Sequence, residues 1–337
     1  MRFPESQARA YVFGPAELAE LLTSQFNQLG IRAEAVVTPS SDEELYSWLK
    51  AHSTETSTFI HPGLSFWSER AEFPQMVSSA GFFPVCPSAR ILSLCLNKLN
   101  VLIEAEAAGI PHLAIALDPL SSLREVEELL EKTGEKFPVV LKSLKLAYGH
   151  GIQLVSTLEE LREILPVGVA QLARRYSEAS ILVERSPPSA RRVIVPFAAD
   201  GARFTKLFPM IDASLQTRWR RMIQFVPATD LDPKAEEAIA EAVKKWVMHL
   251  GFSGFGSMEF LVDGDRVYLV DALARLQAGF PLWDNLLGMN SVEWQLAALG
   301  QLPIPEAAPA ENYGAAIALR FYSEDPIRLI PCPGSIG

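Results

Sequence analysis

The sequence predicts an α/β protein that opens on a parallel sheet, and three observations carry that expectation. Strand-like and helix-like segments alternate from Ala10 to His61. The alternation returns in a smaller unit after Pro111, and a long capped helix then leads into an apolar hairpin. Ala10–Phe13 is a short apolar run closed by Gly14-Pro15. Leu18, Leu21, Leu22 and Phe26 recur at helical spacing over Ala16–Leu29, and Gly30 stops that segment. Ile31–Val37 reads as a second strand, Ser41–Ala51 as a second helix and Thr58–His61 as a third strand. Strands joined through helices pair in parallel, because the crossover must carry the chain back to the same end of the sheet.

In the smaller unit, Ser122–Lys132 is a charged amphipathic helix and Phe137–Lys142 a strand that begins with proline. Gly151–Val155 is a second strand. Thr157-Leu158-Glu159-Glu160 is a capping box opening a helix to Leu165, and Ser180–Glu184 closes the unit as a strand. A compact αβ unit set between larger ones is a candidate lid. Further on, Asp232 as N-cap, Pro233 at the first position and Gly251 past the end frame a long helix. Its buried stripe is Ile239, Val243, Trp246 and Leu250.

Gly254–Val262 and Arg266–Asp271 then flank the turn Asp263-Gly264-Asp265 as a hairpin. Loop length decides how its two carboxylates relate. A three-residue loop sets Glu259 opposite Leu269, with Asp271 on the same face. A two-residue loop sends Glu259 and Asp271 to opposite faces.

Composition narrows the function classes. The chain has 337 residues, 49% hydrophobic and 21% charged, enough for two or three domains. Forty acidic residues against 30 basic ones give a formal charge of -10, which argues against nucleic acid as a partner, since that requires a basic face. No apolar run approaches a membrane span, so no membrane partner is expected. The opening Met1–Ser6 lacks the apolar stretch of a secretory signal. Cys86, Cys95 and Cys332 are too scattered for a disulfide framework or a CxxC site and are expected to be reduced and buried. A cytoplasmic protein is the expectation. There is no P-loop, no complete GxGxxG, no GxSxG elbow and no zinc spacing among the five histidines.

What remains is a dispersed set. Lys142 ends an apolar strand, Lys98 lies far upstream, Glu259 and Asp271 sit on two apolar strands, and Arg275 and Gln277 follow Asp271 in alternation. Two ammonium groups and two carboxylates suit a Mg-nucleotide site, with lysines on phosphate oxygens and carboxylates on Mg2+. Taken alone, the spacing equally allows a snorkelling strand-end Lys142, and salt bridges from Glu259 and Asp271 to Arg266 and Arg275.

The order of segments resembles the biotin carboxylases and, through them, the ATP-grasp superfamily. Phe59–Glu69 (FIHPGLSFWSE) is similar to the HPGYGFLSE segment. Asn97-Lys98 leading to Glu104–Pro111 (EAEAAGIP) looks like DK...AGVP, and Phe137–Ser143 (FPVVLKS) like the YPVxxKA strand. Gly256–Gln277 is similar to GTxEFL...FxExNxRxQ. Ala316–Arg320 through Ser323–Pro326 to Pro331–Gly334 resembles HAIECRxxAEDPxxxxxPSPG. The resemblance implies an ATP-grasp fold: an N-terminal parallel αβ domain over 1–95, a lid over 112–183, and a C-terminal α+β body over 184–337 that ends short of the usual family length. It also implies ATP and Mg2+ as cofactors, a biotin carrier or carboxylase subunit as partner, and a homodimer.

Carried over by position, Lys98 and Lys142 would contact nucleotide phosphates, and Glu184 would sit at the adenine hinge. Gln216 and Arg221 would approach the phosphates and metal, Arg221 where the family has lysine. Glu259 and Asp271 would hold Mg2+, with aspartate in place of the family's glutamate. Arg275, Gln277 and Arg320 match residues that hold bicarbonate or stabilise the biotin enolate, a task suited to the permanently charged arginine fork.

The departures matter as much. Side chains fill the stretch Ser143–Gly151 where the family has a glycine-rich phosphate loop, Leu273 replaces an asparagine near the metal, and Gly279 replaces the glutamate that acts as base on bicarbonate. Ile194 replaces another active-site glutamate, and Trp219 a histidine near the nucleotide. Three readings stay open: an active biotin carboxylase, an ATP-grasp ligase acting on another carboxylate through an acyl-phosphate, and a divergent Mg-ATP-binding relative with weak or absent biotin carboxylation. The departures favour the last.

Overall fold

The computed structural model describes residues 8–52, 57–144, 151–176, 180–187, 189–214, 223–228, 230–303, 305 and 314–320. The N-terminal part alternates as expected: β1 (Ala8–Val12), α1 (Ala16–Gln28), β2 (Arg32–Ala35), α2 (Asp42–Ala51), β3 (Ser57–His61), α3 (Phe73–Ser79) and β4 (Phe83–Pro84). The four strands form an all-parallel sheet in the order β2-β1-β3-β4. Helix α1 buries Ala19, Leu22 and Phe26 on the sheet, leaving Leu21 largely in solvent. Ser41 caps α2 by accepting from the Glu44 amide at 3.2 Å.

The connection after β3 passes against the end of β1. Gly63 sits at φ +59°, and a Cβ there would lie 1.7 Å from the Phe13 carbonyl oxygen, so only glycine fits. The connection continues through a short 3-10 turn, Phe66–Glu69, and after β4 the helices α4 (Ala89–Cys95) and α5 (Lys98–Ala107) lead away from this sheet.

The next unit comprises α6 (Leu123–Thr133), β5 (Val139–Ser143), β6 (Ile152–Val155), α7 (Leu158–Tyr176) and β7 (Ile181–Arg185). Its strands form a separate antiparallel sheet in the order β6-β5-β7. Ser122 and Glu125 close a capping box on α6, and Thr157 accepts from the Glu160 amide at the start of α7. Helix α7 corrects the expected end at Leu165, for it runs through Pro166 to Tyr176. Leu161, Leu165, Val169 and Leu172 form one apolar stripe in the core of this unit, and that packing outweighs the backbone hydrogen bond that proline lacks.

The largest sheet is antiparallel: β8 (Arg191–Asp200), β9 (Phe204–Lys206), β10 (Met210–Asp212), β11 (Ile223–Val226), then α8 (Pro233–Leu250), β12 (Ser253–Asp263), β13 (Arg266–Leu273), α9 (Phe280–Leu287), α10 (Ser291–Ala298) and β14 (Ala316–Leu319). Its order is β13-β12-β8-β10-β11-β14, with β9 beside β8. Both faces are covered, which is why β8 reads as a continuous apolar run. Val193, Val195, Phe197 and Ala199 point to the core formed with α8, α4 and α5, while Ile194 and Ala198 point to the core formed with α1, α9 and α10. Helix α8 has the expected caps, Asp232 accepting from the Lys234 amide and Gly251 left-handed at φ 57°.

The β12–β13 hairpin follows neither expectation. Asp263 pairs with Arg266, so Gly264-Asp265 is a two-residue loop. The register then shifts between Glu259 and Phe260: Phe260 faces Leu269, but Glu259 faces Asp271. Val270 is the extra residue of a β-bulge, and the bulge returns both carboxylates to one face.

Candidate functional site

Two alternations and one helical repeat bring five of the expected residues, Lys98, Lys142, Glu184, Glu259 and Asp271, into a single cluster. On β5, Val139 and Leu141 fill the core of the small unit, so Val140 and Lys142 face the other way. On β7, Ile181 and Val183 enter the same core, so Leu182 and Glu184 also face outward, and Glu184 pairs with Val140. Leu182 packs on Leu102 of α5. Lys98 lies one helical turn before Leu102, at the start of α5 with Asn97 as its N-cap. Lys98 therefore reaches the cluster from α5, and Lys142 and Glu184 from β5 and β7.

Lys142 Nζ donates to Glu184 Oε2, and the two side chains are 6% and 4% exposed. Burial holds the Lys142 ammonium below its ordinary value; Glu184 opposes that effect, while Lys98 and Arg192 add to it. Glu184 Oε1 is buried and has no hydrogen-bond partner among the described residues. Lys98 Nζ donates to Asp271 Oδ2 at 3.0 Å. Asp271 is the main reason that the Lys98 ammonium lies above its ordinary value, burial opposes, and Glu184 and Glu259 contribute at longer range. Across the hairpin from Asp271, Glu259 is 3% exposed and accepts from Arg192 Nη1 at 3.4 Å. Lys98, Lys142, Glu184, Glu259 and Asp271 thus share one electrostatic cluster, joined by Arg192.

Arg192 had no part in the sequence reading. The signal lay in the alternation of β8, which sets Arg192 and Ile194 on one face, and Ile194 pairs with Glu259.

Glu259 and Asp271 suit a hard cation in kind, since both offer carboxylate oxygens on one face. The room beside them, however, holds the ammonium of Lys98 and the guanidinium of Arg192. Among the described residues, no three His, Cys, Asp or Glu side chains come together as an all-protein metal site. As they stand, these side chains neutralise one another and do not fit a divalent ion as well.

The remaining expected residues lie along the chain after β13. Arg275 donates through Nε to Glu69 Oε1 at 2.8 Å, with Nη2 also 2.8 Å from that oxygen as an ion pair, and through Nη1 to the Leu276 carbonyl at 3.1 Å. Glu69 ends the 3-10 turn of the N-terminal unit and was not assigned a role from sequence. Gln277, buried, donates to the hydroxyl of buried Ser257. Gly279 caps α9, where a Cβ would lie 3.4 Å from Met210 Cε and 3.5 Å from Gln224 Oε1. Arg320 follows β14, half-buried, at the edge that pairs with β11. Leu273 pairs with Ser257 at the end of β13. Gln216, Arg221 and Trp219 lie outside the described residues, as do Cys332 and most of the stretch Ser143–Gly151. Cys86 and Cys95 are free thiols, each raised above its ordinary pKa by burial.

The fold defines an ATP-grasp protein, with a small three-stranded antiparallel sheet and a larger seven-stranded one. Residues 104–303 match the family described as carbamoyl-phosphate synthase L chain, ATP binding domain, and the chain belongs to that family. Its relatives include the biotin carboxylase of Halalkalibacterium halodurans, 30% identical over 281 residues that make up 82% of this chain and 61% of the relative. The mitochondrial pyruvate carboxylase of Mus musculus is 28% identical over 80% of this chain and 23% of its own length. The chain therefore spans about three fifths of the curated biotin carboxylases it matches. Among solved structures, the biotin carboxylase domain dimer of Hydrogenobacter thermophilus 2-oxoglutarate carboxylase, in complex with MgADP, ADP and bicarbonate, superposes with a TM-score of 0.83 at 20% identity. It covers 98% of this chain and 80% of that one. The biotin carboxylase of Campylobacter jejuni in its β-γ-ATP complex gives the same TM-score and identity, over 97% and 78%. At that identity these two show the fold. Among the described residues no helix is long and apolar enough to cross a membrane.

Proposed function

We propose that this chain is a nucleotide-binding, biotin-carboxylase-like protein whose own carboxylation of biotin is weak or absent. The observation that carries the nucleotide reading is Glu184. Its Oε1 is a buried acceptor without a partner among the described residues, on the strand that carries it beside Lys142. A buried acceptor left unmet costs about 1–3 kcal/mol, more when charged, and an adenine amino group is a donor that would meet it. Beside it, Lys142 and Lys98 offer two ammonium groups for phosphates. Lys142 is held in a site where burial disfavours its charge, so an arriving phosphate would strengthen it.

The second half of the proposal rests on Gly279 and Arg275. No carboxylate extends from position 279, and general-base catalysis contributes roughly 10²- to 10⁴-fold. The Arg275 fork is engaged with Glu69, which leaves less of it for an anion. By likeness to the relatives, we propose a biotin carrier or carboxylase subunit and a second copy of this chain as partners.

Thermal unfolding with increasing ATP tests the nucleotide reading. Ligand at a hundred times its Kd stabilises the native state by about 2.7 kcal/mol, so a saturable rise in Tm is expected. GTP should give a smaller rise, because its base presents a carbonyl where adenine presents an amino group. The double variant Lys142→Met with Glu184→Leu exchanges a buried ion pair for apolar contacts and should fold but show no shift. No shift in the native chain would contradict the proposal.

A further inference from the structure

Arg192 stands apart from the two lysines because it offers a planar guanidinium fork, and its counter-ion is almost fully buried. Its Nη1 lies 3.4 Å from Glu259 Oε2, the arginine side chain being 20% exposed and the glutamate 3%. It reaches Glu259 diagonally, because Arg192 itself pairs with Leu261 while Glu259 pairs with Ile194. On its other side, Arg192 pairs with Asp212 of β10. The cation thus stands among carboxylates on the face where Glu259 and Asp271 meet. Lys98 holds Asp271 at 3.0 Å.

The two cations differ in what they can do when phosphates arrive. Lys98 is a point charge on a flexible stem that can leave Asp271 for a phosphate oxygen. Arg192 has several N–H groups in a fixed fork and meets Glu259 through Nη1, so it can keep Glu259 and still donate to a second oxyanion. A divalent ion at Glu259 Oε2 would lie close to that guanidinium, and the two cations would repel.

Given nucleotide binding in this cleft, on which this step rests, we propose that Arg192 is its resident counter-cation. It stands where a divalent metal ion would otherwise be needed, so that nucleotide phosphates bind here without divalent metal.

Isothermal titration of ATP into the native chain, once in EDTA and once in excess Mg2+, tests this directly. The two Kd values should agree within about threefold, and Arg192→Gln should bind at least about tenfold more weakly in EDTA than in Mg2+, the size of one charge-assisted contact. Arg192→Lys keeps the charge and should stay closer to the native behaviour. Mg2+ alone should leave the native Tm unchanged. Native binding in Mg2+ but not in EDTA would overturn the role of Arg192 and leave the nucleotide reading standing, as would a saturable Tm shift with Mg2+ alone. Absence of binding in both buffers would overturn the nucleotide reading itself, and the role of Arg192 with it. If Arg192→Gln does not fold, the native comparison still decides.

Discussion

Glu259 and Asp271 face each other directly across the β12–β13 ladder, and they do so because Val270 is inserted as a bulge. Without that extra residue in the register, the two-residue loop would have set Asp271 opposite Met258, in the apolar core beneath α8. The bulge keeps a charge out of the core and builds the acidic pair in one stroke. It also explains the cations on this face: two carboxylates directly opposite each other repel unless each has a counter-ion, and Lys98 and Arg192 provide them.

The buried pair between lid strands should show the asymmetry typical of enclosed ions. Lys142→Met alone leaves Glu184 charged and buried and should destabilise by about 3–5 kcal/mol, whereas adding Glu184→Leu should recover most of that loss. Urea unfolding of the two single variants and the double variant measures it. Equal stability of Lys142→Met and the native chain would mean that the pair does not form.

Gly63 should be far less tolerant than its φ alone suggests. Gly63→Ala meets the Phe13 carbonyl at 1.7 Å and should cost more than about 3 kcal/mol, or prevent folding. Gly81→Ala, also at positive φ but with nothing within 4 Å of its Cβ, should cost only about 1–2 kcal/mol. Denaturant midpoints of the two variants make the comparison.

Two groups, buried His61 and half-buried Asp284, should tilt the pH dependence of stability in opposite directions. His61 accepts from the Gly63 amide, and burial, partly opposed by Gln295, lowers its pKa from 6.5 to about 4. Its unfolded form takes up a proton first, so its contribution is present above pH 6.5 and is lost as pH falls toward 4, about 3 kcal/mol in all. Asp284 accepts from Gln25 of α1 and from Ser291, and burial raises its pKa from 3.8 to about 6. Its folded form takes up a proton first, so stability is regained as pH falls from 6 toward 3.8, by a similar amount. Relative to the native chain, Asp284→Asn should lose stability on acidification and His61→Gln should gain it. Parallel profiles for both variants would contradict these environments.

Legibility from sequence followed the range of the interaction. Local signals worked for α8, whose Asp232, Pro233 and Gly251 mark both ends, and for the parallel opening sheet, whose strand–helix alternation leaves few topologies. They failed at Pro166, where a stripe packed in the lid core carries α7 past a residue that usually ends a helix. The cleft residues could be singled out by type and by family resemblance, but not their pairings. Arg275 finds Glu69 across the N-terminal unit, Lys98 finds Asp271 from another helix, and the hairpin register turns on one bulged residue that no turn motif announces. Arg192 escaped because an arginine in an apolar strand reads as an ordinary edge charge until its neighbours are known.

The central claim is a cleft fitted for nucleotide but lacking the base for carboxylation. ADP release by the native chain, measured in Mg2+ with and without bicarbonate and free biotin, tests it most directly, beside Gly279→Glu, whose Cβ meets no atom closer than 3.4 Å. The account predicts release at background for the native chain under every condition. Robust bicarbonate- and biotin-dependent release by the native chain would contradict it.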